Sequence, residues 1–134
     1  MKIKQVLVIL ILGILLALTA CGAGADPLDG TAWRLDSLDG QPLIAGSAIT
    51  ASFAEDGISG TAGCNSYGGG YKVSGSTITV DSVFSTLMAC MDNDVMAQEQ
   101  TFLALLGEAQ TFSVTDTQLT LTTDSGQSLV FSKQ

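Results

Sequence analysis

From Trp33 onward the chain keeps an apolar–polar alternation of period two, cut at short intervals by turn-forming residues. Successive side chains of an extended strand point to opposite faces, so this pattern commits the chain to half-buried antiparallel sheet. Trp33 and Leu35 alternate before Asp39-Gly40. Ile49, Ala51 and Phe53 precede Glu55-Asp56-Gly57, and Ile58, Gly60, Ala62 and Cys64 follow it, which spells a hairpin. A second hairpin is spelled by Tyr71 and Val73, then Ser74-Gly75-Ser76, then Ile78 and Val80. Phe112 and Val114 lead through Asp116-Thr117 to Leu119 and Leu121, and Asp124-Ser125-Gly126 turns the chain into Leu129 and Phe131. About eight strands result, with threonine common at the outward positions.

One segment departs from period two. Met96, Leu103 and Leu106 follow helical spacing between Asp92 and Gly107, with Val95 and Phe102 beside them. Asp92, Asn93 and Asp94 supply N-cap oxygens and charge of the right sign for a helix start, and Gly107 suits a C-terminal stop. A lone helix among antiparallel strands is expected to cover an open sheet edge or one end of a barrel.

The first twenty residues belong to neither pattern. Lys2 and Lys4 precede an almost unbroken apolar run from Val6 to Leu18, and Leu18-Thr19-Ala20-Cys21 follows. The run is short for a membrane span, and its C-terminal flank is small rather than basic. Leu, a small residue, Ala and Cys in that order resemble the lipobox of bacterial lipoproteins. The resemblance implies cleavage before Cys21, acylation of its thiol, and a place on the outer side of the cytoplasmic membrane. Gly at position 22, rather than Asp, points to the outer membrane where the host has one. Residues 1–20 are therefore expected to be a lipoprotein signal peptide, residues 21–29 a lipid-anchored tether, and residues 30–134 a single domain.

Charge excludes one class of partner. Past residue 20 the chain holds three basic residues, Arg34, Lys72 and Lys133, against all thirteen acidic ones. Such a body repels phosphate backbones, so no nucleic acid partner is expected. The chain has no histidine, hence lacks the commonest general base and metal ligand. No metal, no cofactor and no enzymatic activity are expected. Asp124-Ser125-Gly126 has the form of an aspartic protease motif, but turn chemistry between two strands accounts for it.

With Cys21 assigned to lipidation, Cys64 and Cys90 remain as an even pair in an exported domain. A disulfide between them is expected, with two free buried thiols as the alternative. The stretch from Gly60 to Tyr71 admits two readings. Gly63, Gly68, Gly69 and Gly70 suit bulges and tight barrel corners, with Asn65 satisfying turn backbone groups. Alternatively the stretch is an exposed recognition loop in which Tyr67 and Tyr71 are contacts. Glu99 falls beside the apolar stripe of the helix, where a carboxylate needs partners. Backbone amides or Arg34 are the expected ones.

Several of these residues stand in a recognisable order. Ser59-Gly60-Thr61-Ala62-Gly63-Cys64-Asn65-Ser66-Tyr67-Gly68-Gly69-Gly70-Tyr71 resembles the G-x-A-G-C-N-x-Y-x-G-x-Y segment of the META domain family, which includes the HslJ-type lipoproteins of bacteria. Thr86-Leu87-Met88-Ala89-Cys90 matches its T-x-M-A-C motif. Met96, Glu99 and Phe102-Leu103 match its M-x-x-E-x-x-F-L helix. Gly30 with Trp33-Arg34-Leu35 resembles its opening strand, and Leu119-Thr120-Leu121 with Leu129-Val130-Phe131 its closing hairpin. The resemblance spans about residues 30–132. It implies a small antiparallel β-barrel-like fold with one covering helix, a link to envelope stress or drug tolerance, and no enzymatic activity. Ser66 stands where the family often has a basic residue, so no anionic ligand is carried over. Two modes of action are expected in order: binding at the membrane surface to an unknown envelope protein, or carriage of a lipid or other apolar ligand inside the barrel.

Overall fold

The computed structural model describes residues 24–134 except Asp56. The expected signal peptide and Cys21 lie outside the described residues. Among the described residues nine strands form: β1 (Thr31–Leu38), β2 (Gln41–Pro42), β3 (Thr50–Ala54), β4 (Gly57–Thr61), β5 (Ser66–Ser74), β6 (Thr77–Ser85), β7 (Ala109–Val114), β8 (Gln118–Thr123) and β9 (Ser128–Lys133). One helix, α1 (Asn93–Gly107), sits between β6 and β7 in the chain. Every strand pair is antiparallel, β3 to β9 follow one another in the sheet as in the chain, and β1 pairs with both β3 and β9. Eight strands thereby close into a barrel, with the two-residue β2 lying alongside the end of β1. Closure removes the sheet edges that a meander would expose.

The turns follow their residues. Asp39 and Gly40 both take positive φ, 49° and 76°, and join Leu38 to its partner Gln41. Two such residues form the tight turn whose twist matches flanking strands. β1 pairs with β3 from Thr31 to Arg34 and, along its other side, with β9 from Trp33 to Leu38, its register with β9 slipping between Leu35 and Ser37. A bulge of this kind bends a strand at a barrel corner.

The closure has one weak seam. β6 and β7 meet at a single registered pair, Thr77↔Thr111, supported by the Phe112 amide donating to Ser76 O at 2.9 Å. The chain between these strands is occupied by α1, which packs on β6 and buries Phe102, Leu105 and Leu106. Asp92 caps it by accepting from the amides of Asp94 and Val95 at 2.9 and 3.2 Å. The expected stop at Gly107 differs: Gly107 is the last helical residue, and the C-cap is Glu108 at φ −95°. Without a left-handed glycine, the chain passes directly from the helix into β7.

The interior is filled by side chains, chiefly Trp33, Phe53, Tyr71, Phe102, Phe131 and a ring of leucines. Tyr71 meets Phe53 edge-on at 4.9 Å, and Tyr67 meets Phe102 likewise at 5.2 Å. Each such ring contributes about 1.5–3 kcal/mol through burial. The domain also begins earlier than residue 30. Leu28 is fully buried, and Asp26 accepts from the Leu28 amide at 2.8 Å and from the Tyr71 hydroxyl at 2.6 Å. Residues 26–29, expected as tether, thus belong to the packed body, because Leu28 adds an apolar plug.

Gly60 marks the tightest backbone approach. A Cβ there overlaps the carbonyl oxygen of Thr50 on β3, backbone that a side-chain rotation cannot clear. Gly60→Ala is therefore expected to lower stability by about 1–3 kcal/mol, seen as an earlier urea midpoint. An unchanged midpoint would show that β3 and β4 do not approach this closely.

Candidate functional site

The sequence motifs converge at one end of the barrel, where three chain segments meet. β5 enters through Cys64 and Asn65, β6 leaves through residues 86–91, and the first turns of α1 bring Glu99. Glu99 is 6% exposed and points at the β5 entry. Its Oε2 accepts from the amides of Cys64 and Asn65, at 3.0 and 2.7 Å, and its Oε1 accepts from Asn65 Nδ2 at 2.7 Å. Arg34 stands exposed on β1 and is not among these partners.

Asn65 passes the hold onward. Its Oδ1 accepts from the Thr86 hydroxyl and from the Met88 amide, both at 2.7 Å, while Nδ2 also donates to Met88 O at 3.3 Å. Its own carbonyl accepts from the Ala62 amide at 2.7 Å. Both amide protons and both Oδ1 acceptor positions are thereby used, as burial requires. Ser66 and Thr86 bond each other twice: the Thr86 amide donates to Ser66 O at 3.0 Å, and the Ser66 amide donates to Thr86 Oγ1 at 3.2 Å. Two residues beyond Met88, Cys90 joins Cys64 in a disulfide with Cα atoms 6.2 Å apart, a normal span for the bond. Residues 86–90 are fixed at both ends without being strand or helix.

These bonds set the state of the carboxyl. Burial pushes the Glu99 pKa up, but the Asn65 amide, the Asn65 side chain and the Cys64 amide outweigh it and hold the group below its ordinary value. Glu99 is an ionised acceptor with its oxygens engaged, which suits it to holding backbone rather than to giving or taking a proton. Burial pushes the Tyr67 hydroxyl well above its usual range, and that hydroxyl donates to Thr50 O at 2.7 Å. Among the described residues, no group of three or more His, Cys, Asp or Glu side chains could hold a metal ion.

The exposed-loop reading of Asn65, Tyr67 and Tyr71 is corrected by their positions. All three are buried, and the glycine-rich stretch is strand β5, not a loop. Gly68 and Gly69 are extended and make room: a Cβ on Gly68 meets the Phe84 ring, and one on Gly69 comes within 2.9 Å of Asp81 O. Gly63 alone in this stretch takes positive φ, 119°, where the chain turns into Cys64.

An apolar surface that the sequence did not reveal, although Leu87 and Met88 stand in one of its motifs, lies just outside the network. Among the described residues, Phe84, Leu87, Met88 and Met91 are the exposed large hydrophobics, with Leu87 and Met91 essentially fully open to solvent. Beside them runs a groove of about 300 Å³, lined by residues 85–89 and by Met96, Glu99, Gln100 and Leu103 of α1. Gln98 was likewise missed; it accepts from the Ile44 amide at 2.7 Å and donates to Ser47 Oγ at 2.9 Å, tying the loop before β3 to α1. Helical spacing placed Gln98 on the helix, but nothing local marks a partner more than fifty residues away in the chain.

A closed eight-stranded antiparallel barrel, one helix packed on β6, and an Asn–Glu–disulfide network at one end together define a small β-barrel class. The META domain family model matches residues 26–134, and the chain belongs to that family. Its first residue coincides with Asp26, where the packed body begins. Among solved structures, a protein from Burkholderia xenovorans determined by NMR is similar at 28% identity and TM-score 0.69, covering 80% of this chain and 83% of that one. A second protein determined by NMR is 29% identical at TM-score 0.64, covering 78% and 90%. A crystal structure of a DUF4847 family protein from Bacteroides vulgatus shares the fold, at 12% identity and TM-score 0.60, covering 80% and 94%. No curated protein matches the chain.

Proposed function

We propose that this META-domain chain is a membrane-anchored, non-enzymatic envelope lipoprotein that acts in envelope integrity or stress or drug tolerance through binding. The observation that carries the non-enzymatic mode is the state of Glu99: the buried carboxylate at the motif cluster is ionised and bonded to three donors. The filled interior favours a binding surface over a ligand carried inside. Anchoring is supported by Leu18-Thr19-Ala20-Cys21. No helix among the described residues is long and apolar enough to cross a membrane. Only residues 22–25 separate Cys21 from the first packed residue, a reach of at most about 18 Å from Cys21 to Asp26. Two or more acyl chains on Cys21 would give stable attachment, and the domain would ride at the bilayer surface.

Cys21→Ser is expected to abolish cleavage before residue 21 and acylation, read by mass spectrometry of the mature chain. A secreted, unlipidated form should fold normally yet fail to restore envelope stress tolerance to a host lacking the gene, since dilution removes the local concentration that anchoring supplies. Full restoration at matched abundance contradicts anchored action.

A further inference from the structure

We propose that the exposed ledge Phe84–Leu87–Met88–Met91, with the groove beside α1, is a docking surface for a cationic amphipathic segment of a partner protein. The proposal rests on binding as the protein's mode of action and names where and with what chemistry that binding occurs. Four large apolar side chains on one short segment are costly to leave in water, and a monomer seldom shows such a patch without a use for it. They are also not loose. Met88 is held through both its amide and its carbonyl by Asn65, Asn65 is held by Glu99, and Cys90 is held by the disulfide. A preorganised surface loses less entropy on binding than a mobile one. Every methionine after Met1 falls here: Met88, Met91 and Met96. Unbranched thioether side chains adapt to varied apolar partners.

Charge selects among occupants. Asp92 and Asp94 are exposed directly after Met91, Asp81 is exposed on the same strand as Phe84, and the chain has no Lys or Arg between Lys72 and Lys133. An apolar ledge with an acidic rim complements apolar residues flanked by Lys or Arg. A second copy would bring acid against acid, and an anionic bilayer is repelled by the same rim. Geometry also speaks against the bilayer. The anchored end is fixed near the β3–β4 turn, where Asp29 accepts from the Glu55 amide at 3.1 Å. The ledge hangs from Ser66, at the far end of the β4–β5 pair, where Thr61 faces Ser66. The length of β4, about 15 Å, separates them, so the ledge and the start of the packed body lie toward opposite ends of that strand.

The test uses the lipoprotein in zwitterionic nanodiscs, with empty discs as blank, and a labelled leucine–lysine amphipathic peptide as probe. Binding is expected, weakening with salt. The double variant Leu87→Ser with Met91→Ser should bind at least about tenfold more weakly with an unchanged melting temperature, because both side chains are solvent-exposed. Equal binding by the variant overturns the proposal. So does equal binding of a serine–lysine or a leucine–glutamate peptide. Ledge-dependent dimerisation, or ledge-dependent binding to phosphatidylglycerol vesicles in place of the peptide, overturns it in favour of a second copy or a lipid surface. In the host lacking the gene, full restoration by the anchored double variant removes the ledge and leaves anchored binding standing. Restoration by the secreted form removes anchoring without touching the peptide measurement.

Discussion

Glu99→Ala is expected to cost about 3–5 kcal/mol, because it leaves buried donors that had shared one carboxylate without an acceptor. The amides of Cys64 and Asn65 and the Asn65 side chain all lose their partner at once. Asn65 then no longer holds Thr86 and Met88 in place, so the loss spreads from α1 to the ledge. Glu99→Gln keeps the shape but presents an amide donor where donors already point, and should cost about 1–3 kcal/mol. Acidity gives a second readout. The folded-state pKa of Glu99 lies below its ordinary value, so its stabilisation is complete above the unfolded-state value, about 4.3, and is lost as pH falls through the folded-state value. The gap in stability between the native chain and Glu99→Gln should therefore be wide at neutral pH and narrow in acid below that window. A gap that widens on acidification would mean that Glu99 is held neutral in the fold.

Removing the Cys64–Cys90 bond, by Cys→Ser at both positions, is expected to cost about 3–4 kcal/mol in the chain-entropy model. The cysteines are 26 residues apart in sequence, and the loop they close contains β5, β6 and all of the ledge except Met91. For a domain of this size the change lowers the melting temperature by roughly 10–20 °C. Met88 would keep its bonds to Asn65, but the chain after it would lose its far support. Limited proteolysis should then cut between Met88 and Asp92 in the variant first. A melting temperature insensitive to both reduction and substitution would contradict the bond's structural role.

The strands were legible because burial of one sheet face imposes period two, and the period survives wherever the opposite face stays wet. Trp33 and Leu35, Ile78 and Val80, and Leu119 and Leu121 are buried as the alternation demands. Asp39-Gly40 and Asp92 were legible for local reasons, since turn and cap chemistry is written within a few residues. Tyr67 and Tyr71 were less so. Glycines around them suited bulges and tight corners but left an exposed loop open, and only the opposing strand, whose ring and carbonyl pass closely over them, reveals which applies. Closure pairs β1 with β9, strands from opposite ends of the domain, which no single-strand pattern signals. Glu99 was visible as an anomaly, a carboxylate beside an apolar stripe, yet its partners lie 34 and 35 residues away. The ledge was invisible for the opposite reason. Leu87, Met88 and Met91 look like core residues in sequence, and only their place outside the barrel shows that nothing covers them.

The central claim is that Glu99 acts as a structural clamp, holding Asn65 and through it the exposed ledge. Native-state amide hydrogen exchange on the intact protein and on Glu99→Gln tests it directly. In the native chain the amides of Cys64, Asn65 and Met88 should be strongly protected, since each donates to a side-chain acceptor of this network. In Glu99→Gln these three should lose protection together, while amides of β8 and β9 on the far side of the barrel keep theirs once the global loss of stability is subtracted. Met88 protection unchanged in Glu99→Gln would contradict the clamp, and would leave Glu99 an ordinary buried acid with no hold on the surface beside it.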